Sequence, residues 1–107
     1  MAAGAGPGSA WRTATVIGIE DETARAKSLR FRLAEAAPHL AGQHYVVRLT
    51  APDSYTASRS YSIASAPDDS PEFELTVERL DDGEVSTFLH TEVVIGDELE
   101  VRGPIGG

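Results

Sequence analysis

The sequence predicts an all-β domain: six short antiparallel strands in a small closed barrel, with one short helix. Two observations carry this. From Trp11 onward, short runs of alternating apolar and polar residues are separated by clusters of turn formers, a period-2 pattern that suits half-buried strands. Only residues 85–91 read as a helix. At 107 residues and 41% apolar content, the chain holds material for one modest core and one domain.

The elements follow in order. Residues 1–10 are rich in Gly and Ala, with no basic start and no sustained apolar run, and are expected to form a disordered leader. The barrel domain is expected over 11–107. Its first strand covers 11–19 and ends at the polar Glu20-Asp21-Glu22. The second, 27–33, sets Leu29, Phe31 and Leu33 on one face against Arg30 and Arg32. The third, 43–50, alternates Tyr45, Val47 and Leu49. The fourth covers 58–65. The fifth, 72–80, turns Phe73, Leu75 and Val77 inward and Glu74 and Thr76 outward. The helix over 85–91 buries Phe88 and Leu89. After a Gly96-Asp97 turn, the sixth strand, 98–102, stops at the breaker Gly103-Pro104-Ile105-Gly106.

Three clusters carry chemistry. In Arg59-Ser60-Tyr61-Ser62, alternation puts Arg59 and Tyr61 on one strand face and the serines on the other. A guanidinium fork suits phosphate and a tyrosine ring suits a flat cofactor, so the pair fits a ligand that has both. An ordinary antiparallel strand with an exposed arginine is the plainer alternative. In the second cluster, residues 77–90, Gly83 permits a tight turn before the helix. The free amides of a helix start favour an anion, and Ser86 adds a hydroxyl donor, although a simple helix cap explains Ser86 as well. The third cluster is the closing 96–107 segment.

In this order the clusters resemble the flavin-binding (FAD-binding) domain of the ferredoxin–NADP reductase family. Arg59, Tyr61 and Ser62 match its Arg-x-Tyr-Ser/Thr signature, and Gly83 with Ser86 match Gly-x-x-Ser. Gly42-Gln43 and Gly103-Pro104-Ile105-Gly106 match two further motifs. Glu78, where the family often has Lys, and Ile105, where it has an aromatic residue, depart from the pattern. The resemblance implies a Greek-key barrel that binds FAD. It implies that Arg59 holds a phosphate, Tyr61 stacks on the isoalloxazine ring and Ser62 donates to N5. Val77 and Arg79 then flank the ribityl and pyrophosphate region, and Gly83, Val85 and Ser86 seat the pyrophosphate. A following α/β domain, absent from this chain, is expected to bind NADH or NADPH and to deliver hydride to the flavin. Electrons then leave to an iron–sulfur or haem acceptor such as a ferredoxin. The same Arg-x-Tyr-Ser face can serve FMN, and no residue is evident as a reader of the adenine half of FAD. A stand-alone flavin or ligand carrier, or an interaction module, is the alternative from another class.

Composition narrows the classes. A net charge of −8 argues against nucleic acid and against an anionic membrane surface. Six cations, Arg25, Lys27, Arg30, Arg32, Arg48 and Arg59, precede most of the acids and are expected to offer phosphate a local positive patch. With no cysteine, the chain holds no disulfide, catalytic thiol or Cys-ligated cluster. His39, His44 and His90 lack ligand spacing and read as solvated or strand-surface residues, so no metal site and no catalytic residue is assigned. Asp68-Asp69 and Asp81-Asp82 read as solvated turn acids. There is no Gly-x-Gly-x-x-Gly fingerprint, and a cytoplasmic location is expected.

Overall fold

A computed structural model describes residues 10–67, 70–80 and 83–106. The expected leader lies outside these except for Ala10, as do the turn acids Asp68, Asp69, Asp81 and Asp82. The elements are β1 (Trp11–Asp21), β2 (Ala26–Leu33), β3 (His44–Thr50), β4 (Thr56–Ser62), β5 (Glu72–Glu78), α1 (Glu84–Thr91) and β6 (Glu98–Ile105). All six strands form one antiparallel sheet in the order β4-β3-β6-β1-β2-β5. The last strand returns to lie between β3 and β1, which gives the Greek-key connection.

Alternation builds the core. Leu29, Phe31 and Leu33 on β2 and Phe73, Leu75 and Val77 on β5 are buried, as their spacing predicts. Tyr45 stacks on Phe73 at 3.9 Å between centroids, and Phe73 on Phe31 at 5.2 Å, so three strands share one aromatic column. Burying a ring of this size stabilises by about 1.5–3 kcal/mol. On the outer face, Arg30 reaches Glu72 and Glu74, Arg32 reaches Glu72, and Arg48 makes two 3.0 Å bonds to Glu100.

The barrel is less closed than the strand count suggests. The outer strands β4 and β5 share no ladder among the described residues; just past β4, Ile63 bridges Leu75 and the Ala64 N–H donates to the Glu74 carbonyl (2.7 Å). Helix α1 packs against β3, β4 and β5, filling the place where further ladder bonds would run.

Several expectations need correction. Strand β4 starts at Thr56 and ends at Ser62; the Ile63 N–H donates to the Gln43 carbonyl (3.0 Å) just ahead of β3, and Ile63 bridges Leu75 on β5. Strand β5 stops at Glu78, and α1 includes Glu84. The predicted breaker is strand: β6 runs on through Gly103 and Pro104 to Ile105, which pairs with His44. The irregular register between His44 and Val46 absorbs the proline, which has no N–H to give. Glycine is required there because a Cβ at 103 would lie 2.8 Å from the Tyr45 ring and 2.9 Å from the His44 carbonyl. His39 is buried, not solvated, with Nε2 3.2 Å from the Ser65 carbonyl. His90 is half-buried and donates to the Val77 carbonyl (2.8 Å).

Candidate functional site

The opening between β4 and β5 carries the sequence's main candidates. Register pairs Tyr61 with Tyr45 and Arg59 with Val47, so both candidates sit on the core-facing side of β4. With little of β5 alongside, that side is only partly covered: Tyr61 is half-buried and Arg59 exposed. Burial pushes the Tyr61 phenol above the usual tyrosine range, and the nearby Arg59 guanidinium pulls partly the other way. The broad positive patch does not form. Arg30, Arg32, Arg48 and Lys27 are held by Glu72, Glu74, Glu100 and Asp21, whereas Arg59 has no ion-pair or hydrogen-bond partner among the described residues.

The start of α1 is shaped differently from the expectation. Gly83 has φ −87° and ψ 105°, an ordinary extended conformation, so the turn needs no positive φ. Glycine is needed for room: a Cβ would sit 2.5 Å from Ser86 Oγ. Ser86 is buried and does not present its hydroxyl outward. It accepts from the Leu80 N–H (3.0 Å) and donates to the Gly83 carbonyl (3.3 Å), tying the helix to the end of β5. What remains for an anion is the helix start itself, whose first amides have no intrahelical acceptor. The Gly83 carbonyl takes the Thr87 N–H (2.9 Å), and no side chain caps the helix.

The other candidates are dispersed. Val77 and Val85 are core residues, 0% and 2% exposed, and the Val77 carbonyl is taken by His90, so Val77 does not reach a ligand. Ser62 is exposed at the end of β4, opposite His44 and on the other face from Tyr61. Arg79 lines a polar cleft of about 450 Å³ with Lys27, His90 and Thr91, towards the far end of α1 from Gly83. Gln43 does more than its motif suggested: it accepts from the Leu40 N–H and donates to the Gly106 carbonyl, both at 2.8 Å, joining two motifs far apart in sequence. Tyr55 was missed by sequence reasoning. Its hydroxyl donates to Glu84 on α1 (3.0 Å), a contact for which no local pattern gives a signal.

A guanidinium without a partner among the described residues, beside a half-buried ring and next to an uncapped helix start, suits a flavin nucleotide. The oxidoreductase FAD-binding domain family matches residues 13–107. The chain belongs to that family. Its relatives include the reductase component of phenol 2-monooxygenase from a Pseudomonas species, 31% identical over 85% of this chain and 25% of that protein. Flavohemoprotein-2 of Giardia intestinalis is 34% identical over 94% of this chain and 24% of its own length. The chain therefore spans about a quarter of these relatives. Among solved structures, the flavohem-like FAD/NAD-binding domain of nitric oxide dioxygenase from Vibrio cholerae superposes with a TM-score of 0.78. It is 30% identical and matches 90% of this chain and 44% of that one. The family's cofactor is FAD. Among the described residues, no group of His, Cys, Asp and Glu side chains could hold a metal ion, and no helix is long and apolar enough to cross a membrane.

Proposed function

We propose that this FAD-binding domain serves an NAD(P)H-dependent oxidoreductase that passes electrons to an iron–sulfur or haem acceptor. The observation that carries it is Arg59, without a partner among the described residues, beside the half-buried Tyr61 ring in the β4–β5 opening, in a chain of the FAD-binding family. FAD, when bound, supplies hydride acceptance and one-electron release. Arg59 holds a phosphate by charge-assisted bonds, and Tyr61 covers one face of the ring and excludes water from it. Ser62 donates towards the ring from the strand end. Backbone amides of Val85 and Ser86 receive the pyrophosphate beside Gly83, whose own N–H already donates to the Leu80 carbonyl (3.0 Å). A separate domain meets NADH or NADPH, in keeping with the FAD/NAD naming of the Vibrio cholerae domain, of which this chain matches 44%. The name of flavohemoprotein-2 supports a haem acceptor, and that of the phenol 2-monooxygenase reductase component supports an oxygenase as the partner served. A cytoplasmic setting belongs to this reading, since a cysteine-free chain gains nothing from an oxidising compartment.

The test is calorimetric titration with riboflavin, FMN and FAD. Arg59→Ala is expected to weaken FMN and FAD about ten- to a hundredfold and to spare riboflavin, which has no phosphate. Tyr61→Ala is expected to weaken all three. An equal loss of riboflavin and FAD in Arg59→Ala would show that the arginine acts through the fold.

A further inference from the structure

We infer that the cleft between the 51–55 turn and helix α1 binds the adenosine half of FAD, with Tyr55 as the ring on which adenine stacks. The inference rests on the flavin reading above and supplies the adenine reader that sequence patterns do not reveal. The cleft has a volume of about 350 Å³ and is lined by Leu49, Pro52, Tyr55, Ala57, Glu84 and Phe88, among others. Ligand pockets run from about 300 to 1,000 Å³, so this one suits part of a dinucleotide rather than all of it.

Position is the first argument. Ala57 lies two residues from Arg59 on the same face of β4, about 6.5 Å along the strand, and Glu84 follows Gly83 directly. The cleft thus adjoins both parts of the proposed phosphate seat, on the side away from Tyr61. A ligand laid along β4 meets a ring at Tyr61, a cation at Arg59 and then the cleft. FAD has that order of parts: isoalloxazine, pyrophosphate, adenosine.

Chemistry is the second. Leu49, Pro52, Ala57 and Phe88 offer an apolar floor, and the Tyr55 ring is 54% exposed. The Tyr55 hydroxyl occupies one site on the Glu84 carboxylate, which has about four lone-pair sites, so Glu84 keeps capacity to accept from the adenine amine.

The third argument is the construction of the turn. Ser54 takes φ 72°, an unusual conformation for a residue other than glycine. Asp53 Oδ1 accepts from the Tyr55 N–H (3.0 Å), and the Ala51 N–H donates to the Tyr55 carbonyl (2.7 Å). The Tyr55 backbone is therefore held at both its polar groups, which lowers the ordering cost of binding.

Titrating the 107-residue chain with riboflavin, FMN and FAD by calorimetry tests this. The wild type is expected to bind FAD at least about fivefold more tightly than FMN, the scale of one base stack. Tyr55→Ala, and independently Ala57→Trp, which fills the cleft, should remove that preference and leave FMN and riboflavin within about twofold of wild type. Loss of FMN and FAD in equal measure in both variants, or no preference for FAD in the wild type, overturns the adenosine cleft alone. Absence of binding by all three flavins overturns the flavin reading, and the cleft with it.

Discussion

Gly83→Ala should destabilise the chain even though the backbone there would accept alanine without strain. At φ −87° and ψ 105°, alanine is allowed, and losing glycine's freedom in the unfolded state would by itself stabilise by about 0.4–1 kcal/mol. Space decides the sign. The new Cβ would sit 2.5 Å from Ser86 Oγ and 3.2 Å from the Leu80 Cβ, and Ser86 is only 2% exposed. Making room means moving the hydroxyl that accepts from the Leu80 N–H at 3.0 Å. A buried donor left unpaired costs about 1–3 kcal/mol, so the net loss is about 1–2 kcal/mol. For a domain of this size that lowers the melting temperature by roughly 4–15 °C. Circular dichroism during thermal and urea unfolding measures it. The partner experiment places Gly83→Ala on a Ser86→Ala background, where the obstructing oxygen is gone and the substitution should become neutral or stabilising. An equal cost in both backgrounds would refute the steric account, as would stabilisation of the wild type by Gly83→Ala.

Two further outcomes are expected. Hydrogen bonds from Arg32 and Arg30 lower the Glu72 carboxyl, and those from Arg48 lower Glu100. Depressed folded-state values contribute stability above the ordinary glutamate pKa of about 4.3, and that contribution is lost as pH falls through the depressed values. The fall of melting temperature in acid should therefore be shallower in Arg48→Gln than in wild type, and identical slopes would count against the Arg48–Glu100 linkage. The two glycines of the β3 and β6 motifs should respond differently to alanine, as urea unfolding can measure. Gly42→Ala meets nothing within 4 Å and costs only its φ of +88°, about 1–2 kcal/mol, whereas Gly103→Ala also drives a methyl into Tyr45 and the His44 carbonyl and should cost more.

Much of the barrel was legible because period-2 patterning depends on which residues are apolar, and Phe31, Leu75 and Val77 announce their face locally. The ends were not. Leu80 and Gly103 carry no local mark that one leaves the ladder at Glu78 while the other stays in it to Ile105, since a partner strand decides both. The histidines failed for the same reason. His39 and His90 look like surface residues in sequence, and each is drawn in by a carbonyl 26 or 13 residues away.

The candidate site divides along that line. Arg59, Tyr61, Gly83 and Ser86 could be picked out by type and spacing alone, because strand alternation and a glycine before a helix are local properties. Their working relations are not local. Arg59 is available because its fellow cations found carboxylates on neighbouring strands, and Gly83 is needed for the space Ser86 Oγ takes. Tyr55 gains its place through a turn that reaches α1, 29 residues on. The fold class, the core faces and the family's motifs were all readable from short-range periodicity and residue chemistry. Which polar groups are already satisfied and which stay open to a ligand was set in three dimensions, because that depends on partners brought close by the sheet.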